Sequence, residues 1–237
     1  MRIPIIVSLA ACAALVLGCQ ESGFDEAKET ARPLKVQHVL GESKVPGRAE
    51  RPVVMSVDSL DDTLALGVQP LAAAVPGEKP PAYLAEAAGG LEMLAEDAPV
   101  PEDADLIIAS APQSEDEFLE LVKTAPTVVI DEGAAQWKLN ARLVGEALGR
   151  TNDAEGLLSD YDRRVATVRE TLPRDAKVAV KRAGRDSFAA SLLADAGVSL
   201  VAPTKADVTL DDPVWTGPGG VLAARAALAD LQSILQK

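Results

Sequence analysis

The sequence predicts an α/β fold in which helices cover both faces of a parallel sheet. Three observations carry this. Short runs such as PVVMSV, DLIIAS and PTVVI are apolar at almost every position, as strands buried on both faces require. Between the runs lie stretches with helical spacing, and strands alternating with helices are the mark of a parallel sheet. The chain has 237 residues and is 48% hydrophobic, enough for a sizeable core.

In chain order, LKVQHVLGESKV alternates apolar and polar residues around Gly41-Glu42, a hairpin signal. A first strand over Val53–Val57 runs into the helix of DSLDDTLALGV. Ser59 can cap that helix, Asp61 and Asp62 suit its first turn, and Gly67 supplies the stop. VQPLAAAV, DADLIIAS and APTVVID read as the second, third and fourth strands, with helices around Tyr83–Ala88 and Glu115–Lys123. From Gln136 to Leu172 the apolar residues keep helical spacing, giving a long, bent helical segment. Gly149 interrupts it, and Asn152 with Glu155 resembles a capping box that restarts it. KVAV is then a strand, DSFAASLLADAG a helix, ADVTL a weak strand, and Gly220–Leu235 a final helix.

The first nineteen residues hold both cysteines. Arg2 precedes an apolar run from Ile3 to Leu17, which is the pattern of a secretory signal. The run is shorter than the roughly 20 apolar residues a comfortable span needs. Val16-Leu17-Gly18-Cys19 resembles the lipobox of bacterial lipoproteins, which implies cleavage before Cys19 and its lipidation. The competing reading is an ordinary signal peptide with an incidental cysteine. On the first reading, residues 1–18 are the signal and 19–33 a polar, flexible tether. The chain is then exported and lipid-anchored on the outer face of the bacterial cytoplasmic membrane. No free thiol remains for a disulfide framework or a thiolate metal site. With 36 acidic against 23 basic residues, the net charge is −13, which repels nucleic acid.

Four segments, in order, are similar to bacterial ferric-siderophore-binding lipoproteins of ABC importers. They are HVLGESKVPGRAERPVVMSVDSLDDTLALGVQPLAA; DLIIAS; APTVVID with WKLNARLVGEALGRTNDAEGLLSDYDRRV; and DSFAASLLADAGVS followed at a distance by WTGPGGVLAARAALADL. The resemblance implies the two-lobed substrate-binding protein fold, with α/β lobes joined by one long, stiff helix around a ligand cleft. It places an N-terminal lobe at 34–135, a connecting helical segment at 136–172 and a shortened C-terminal lobe at 173–237. In the family that last lobe is longer, whereas here only Val198–Val214 lies between the FAASLLADAG helix and WTGPGG. The implied ligand is a ferric siderophore whose iron is held by the chelator, so no cofactor and no protein metal ligands are expected. The implied partner is an ABC permease. Of the family's two permease-docking glutamates, Glu102 stands nearest the first and the second has no clear counterpart, so docking is in doubt. A monomer is expected. A non-transport envelope lipoprotein using its first lobe as an interaction module, and cobalamin or haem binding on the same fold, are the alternatives.

Candidate ligand contacts follow from position, since ligands of parallel sheets sit beyond the carboxyl ends of the strands. Ser59, Ser110 and Gln113 lie just past the first and third strands, although loop polarity explains them equally well. Trp137 opens the long helix, either facing the cleft or plugging that helix onto the first lobe. Trp215 precedes GPGG, read as a flexible turn, and is either near the cleft or in the core. Lys181, Arg182 and Arg185 follow KVAV and suit an anionic ligand; solvated loop charges are the other reading. His38 is read as structural and Tyr83 as a surface residue. No Gly-x-Ser-x-Gly elbow and no phosphate-cradling Gly-x-x-x-x-Gly-Lys motif occurs, and acidic neighbours such as Asp61-Asp62 are read as solvated, so an enzyme is not expected.

Overall fold

The computed structural model describes residues 32–236 except 96–97, 111, 113, 132–135 and 185. The chain opens with an antiparallel hairpin, β1 (Leu34–His38) and β2 (Gly41–Val45). Its turn is Val39-Leu40, two residues before the expected Gly41-Glu42. The hairpin is fastened to the first sheet by the Ser43 hydroxyl, which donates to the Thr127 carbonyl at 2.6 Å.

The first lobe is a five-stranded parallel sheet. It contains β3 (Pro52–Met55), β4 (Ala72–Ala74), β5 (Glu92–Leu94), β6 (Leu106–Ser110) and β7 (Thr127–Ile130), in the order β5-β4-β3-β6-β7. Four of the five were expected, and β5 is the addition. Successive side chains of a strand face opposite ways. Val54, Ile108 and Val128 therefore bury one face with helix α1 (Val57–Ala65), whereas Val53 and Ile107 bury the other. Helix α2 (Glu115–Thr124) covers part of that second face through Leu121. The expected Tyr83–Ala88 helix is reduced to a single 3-10 turn at Ala82–Leu84.

After β7 the expected long rod is two helices, α3 (Trp137–Ala147) and α4 (Thr151–Thr171). They fold back on each other. Lys138 reaches Asp162 at 3.2 Å and Arg142 reaches Glu155 at 2.7 Å, so positions rising along α3 meet positions falling along α4. The bend is made by Gly149 at φ +69°, where a Cβ would overlap the Gly47 carbonyl oxygen. The anticipated capping box is absent, because α4 starts at Thr151 with Arg150 at its N-cap and no side-chain cap. Only α4, about 31 Å long at 1.5 Å per residue, acts as a spine. Its Ala154 packs into the first-lobe core, while Leu158, Tyr161, Val165 and Val168 pack into the second.

The second lobe has a three-stranded parallel sheet of β8 (Lys177–Val180), β9 (Ser199–Leu200) and β10 (Val208–Leu210), in the order β10-β8-β9. It is smaller than the first, as expected, with one more strand than KVAV and ADVTL supplied. Helix α5 (Phe188–Ala196) lies against it, capped at its start by Ser187 and at its end by Gly197 in the left-handed conformation. A four-residue helix, α6 (Pro213–Thr216), leads to α7 (Val221–Leu235). Among the described residues no helix is long and apolar enough to cross a membrane. The signal, the tether and Cys19 fall outside the described residues, apart from the tether's last two positions.

Candidate functional site

The lobes are joined by a polar clamp that the sequence reading placed in solvent. Helix α1 is capped by Ser56, not by Ser59: the Ser56 hydroxyl accepts the Ser59 amide at 3.2 Å. From this start the helix carries Asp61 and Asp62 inward, to 0% and 1% exposure. There they cap α7, whose first amides have no intrahelical partners. Asp61 Oδ1 accepts from Leu222 N at 2.6 Å and Oδ2 from Ala223 N at 2.8 Å, while Asp62 Oδ1 accepts from Val221 N at 2.9 Å. The approach depends on two glycines. A Cβ on Gly219 would enter the Phe188 ring, and one on Gly220 would lie 2.5 Å from Asp61. The GPGG segment is thus a close-packed junction, not a flexible turn.

Burial dominates the electrostatics of this clamp. It lifts the Asp61 carboxyl to about 7, opposed by the two helix amides, and lifts Asp62 well above the ordinary carboxylate range, helped by the neighbouring Asp61 charge. Among the described residues Asp62 Oδ2 has no hydrogen-bond partner. The Tyr83 hydroxyl is buried beside Asp61 without a regular hydrogen bond, so Tyr83 is a seam residue and not a surface one. Burial and then the Asp61 charge raise its phenol as well.

Beside the clamp lies a pocket of about 470 Å3 that takes walls from both lobes. Ala82 and Tyr83 come from the segment after β4; Thr209, Leu210, Asp211 and Asp212 come from the end of β10; Trp215 and Asp230 complete it. It therefore sits beyond the carboxyl end of β10, the kind of place where ligands of parallel sheets collect, with the Ala82–Tyr83 turn of the first lobe facing it. Two of its carboxylates have structural partners. Asp212 caps α6 through Val214 N at 3.0 Å, and Asp230 accepts the Trp215 indole N–H at 2.8 Å.

The sequence-predicted residues divide around this pocket. Trp215 lines it while being 1% exposed overall. Lys181 stands at its edge, 3.6 Å from Asp211. Arg182 is exposed on the adjoining turn at φ +63°. Ser110 ends β6, half-buried. Ser59 is fully buried, with its hydroxyl donating to the Ser56 carbonyl at 3.1 Å, so it presents no surface to a ligand. Trp137 is also core, but not as a plug on the first lobe. It meets Tyr161 edge-on at 4.8 Å and Phe188 at 5.9 Å, inside the second-lobe cluster. His38 is structural as read, its Nε2 lying 3.0 Å from the Ser43 hydroxyl. Gln113 and Arg185 lie outside the described residues. The reading missed Tyr83, Asp211, Asp212 and Asp230. For Asp211 and Asp212 the available signal was position just after a strand; Tyr83, in a 3-10 turn, and Asp230, inside α7, carry no such signal. Among the described residues no group of three or more His, Cys, Asp or Glu side chains could hold a metal ion.

Residues 104–209 match the family model described as periplasmic binding protein. The probable siderophore-binding lipoprotein YfiY of Bacillus subtilis (strain 168) is 26% identical over 181 residues, which is 70% of this chain and 53% of that protein. The petrobactin-binding protein YclQ of the same organism is 30% identical over 162 residues, covering 63% of this chain and 50% of YclQ. The chain spans about half the length of the curated relatives it matches. The crystal structure of YclQ superposes with a TM-score of 0.68 at 20% identity, over 87% of this chain and 99% of that one. Staphylococcus aureus SirA complexed with staphyloferrin B gives 0.67 at 20% identity, over 84% and 97%. The two-lobed α/β fold expected from the sequence is therefore the fold found, and the relatives are named as binding proteins, not as enzymes.

Proposed function

Taking the chain as a relative of the siderophore-binding substrate-binding proteins, we propose that it is a lipid-anchored solute-binding protein that captures a ferric siderophore for an ABC importer. The observation that carries the proposal is the pocket between the lobes, walled by the Ala82–Tyr83 turn of the first lobe and by the carboxyl end of β10 with Trp215 in the second. The iron arrives as cargo, ligated by its chelator. Lys181, Arg182 and Arg185 attract the anionic chelate, with Ser110 and Gln113 as polar contacts and Trp215 and Tyr83 as the apolar wall. Lys181 is available for this, since its contact with Asp211 is long and both side chains are more than half exposed. Lipidation of Cys19 holds the protein, as a monomer, on the outer face of the cytoplasmic membrane, where it meets the permease. The spine α4 and the buried clamp limit closure, so the site is largely preformed.

The names of the relatives support iron-chelate binding, and petrobactin and staphyloferrin B are the first probes to use. Titrating the purified chain with each ferric chelate while following tryptophan fluorescence is expected to give saturable quenching by one of them. No response to catecholate, hydroxamate or citrate-type ferric chelates would overturn the proposal.

A further inference from the structure

A second concavity lies between α4 and α7. It has a volume of about 470 Å3 and is lined on α4 by Asp160, Arg163, Arg164, Thr167 and Val168, and on α7 by Arg225, Leu228, Ala229 and Gln232. The pocket between the lobes uses Ala226, Asp230 and Ile234 of the same helix. At 3.6 residues per turn these two sets occupy roughly opposite faces of α7. The groove is therefore a separate surface.

Its charge runs against the rest of the molecule. The chain carries −13 overall, yet this groove gathers three guanidinium groups and one carboxylate. Asp160 is already paired with Arg163, which also donates to the Ser159 hydroxyl at 3.0 Å. Arg164 and Arg225 have no ionic partner among the described residues. The Nε of Arg225 is buried and makes no hydrogen bond among the described residues. A guanidinium with no ionic partner in the fold is a costly charge beside buried surface, and an oxyanion seated in the groove would offset it. Two planar donor forks across a cleft suit a doubly charged oxyanion, and Val168, Leu228 and Ala229 supply apolar contact for whatever carries it.

We propose that the groove between α4 and α7 is an anion site that takes a phosphate group on a small or lipidic body, held by Arg164 and Arg225. The phosphate comes either from a soluble ester or from a phospholipid headgroup, and both present the same oxygens to the same two arginines.

The test uses the full, unacylated chain at low ionic strength, because charge-driven binding is screened by salt. Binding of glycerol 3-phosphate is followed by calorimetry, and binding to phosphatidylglycerol vesicles, with phosphatidylcholine as control, by co-sedimentation. Saturable binding to one probe is expected, and which one identifies the source of the phosphate. Arg225→Gln is expected to weaken it about ten-fold or more, as the loss of a charge-assisted hydrogen bond does. Arg164→Gln, at an exposed position where folding is not at stake, is expected to act in the same direction. Ferric-chelate binding on the other face of α7 stays unchanged in both variants, so failure here is distinct from failure of the siderophore proposal. Absence of saturable binding to either probe, or equal binding by wild type and Arg164→Gln, overturns the inference.

Discussion

Replacing Asp61 with alanine removes the acceptors of two helix amides in a fully buried place, the Leu222 N contact at 2.6 Å and the Ala223 N contact at 2.8 Å. Each stranded donor costs about 1–3 kcal/mol, and the charge at the α7 N-terminus contributes up to about 2 kcal/mol more. Against this stands the cost of keeping a buried carboxylate ionised. Its carboxyl lies at about 7 against an ordinary 3.8, a difference that disfavours the ionised form by on the order of 4 kcal/mol. The expected net effect of Asp61→Ala at pH 5, where the wild-type carboxyl is protonated and less is recovered by removing it, is a loss of about 2–4 kcal/mol. At pH 8 the expected loss is smaller. The sign follows from linkage. With the folded value above the unfolded one, the native state holds more protons between pH 4 and 7, so wild-type stability rises as pH falls through that window. The variant lacks this contribution. Urea unfolding at a series of pH values reads both effects. Wild-type and Asp61→Ala curves that differ by less than about 0.5 kcal/mol at pH 5, or a gap that widens toward pH 8, would refute the reasoning.

Asp62→Asn keeps an oxygen for Val221 N and replaces a carboxyl already pushed toward its neutral form, so it is expected to change neutral-pH stability by less than about 1 kcal/mol in the same urea assay. Gly149→Ala is expected to cost more than about 2 kcal/mol, because positive φ and the Gly47 carbonyl both oppose a Cβ; a shift of Tm by several degrees checks it. Tyr161→Phe deletes the hydroxyl that donates to Asp195 at 3.0 Å and is expected to lower stability by about 1 kcal/mol, measured by thermal unfolding. The double variant Lys181→Ala, Arg182→Ala is expected to weaken ferric-chelate affinity about ten-fold with Tm preserved, as removal of exposed charge contacts does.

The parts of the fold legible in the sequence are those where burial leaves little choice. LIIAS and TVVI are strands as read, because strands covered on both faces tolerate few polar side chains. The three-residue β5 begins with a glutamate, and the two-residue β9 begins with a serine; such short strands leave no pattern to detect. The bent helical segment read over 136–172 is bent far enough to reverse, which helical spacing does not report; only the interruption at Gly149 marks the place. The site was less visible. Asp61 and Asp62 look like surface charge on a helix until residues some 160 positions later bring α7 onto them. Position after strands makes Ser59 and Trp137 cleft candidates, with loop polarity and core packing as the competing readings; local capping and the Tyr161–Phe188 cluster draw both into the core. Trp215 lines the pocket after β10, while Lys181, past β8, reaches only Asp211 at its edge.

The receptor account is tested most directly by hydrogen–deuterium exchange of the chain with and without a saturating ferric chelate. Protection is predicted at the turn around Tyr83, at Lys181–Arg182 and across Thr209–Trp215, with α4 unchanged. Unaltered exchange at all three segments, or protection confined to surfaces away from the junction of the lobes, would contradict it.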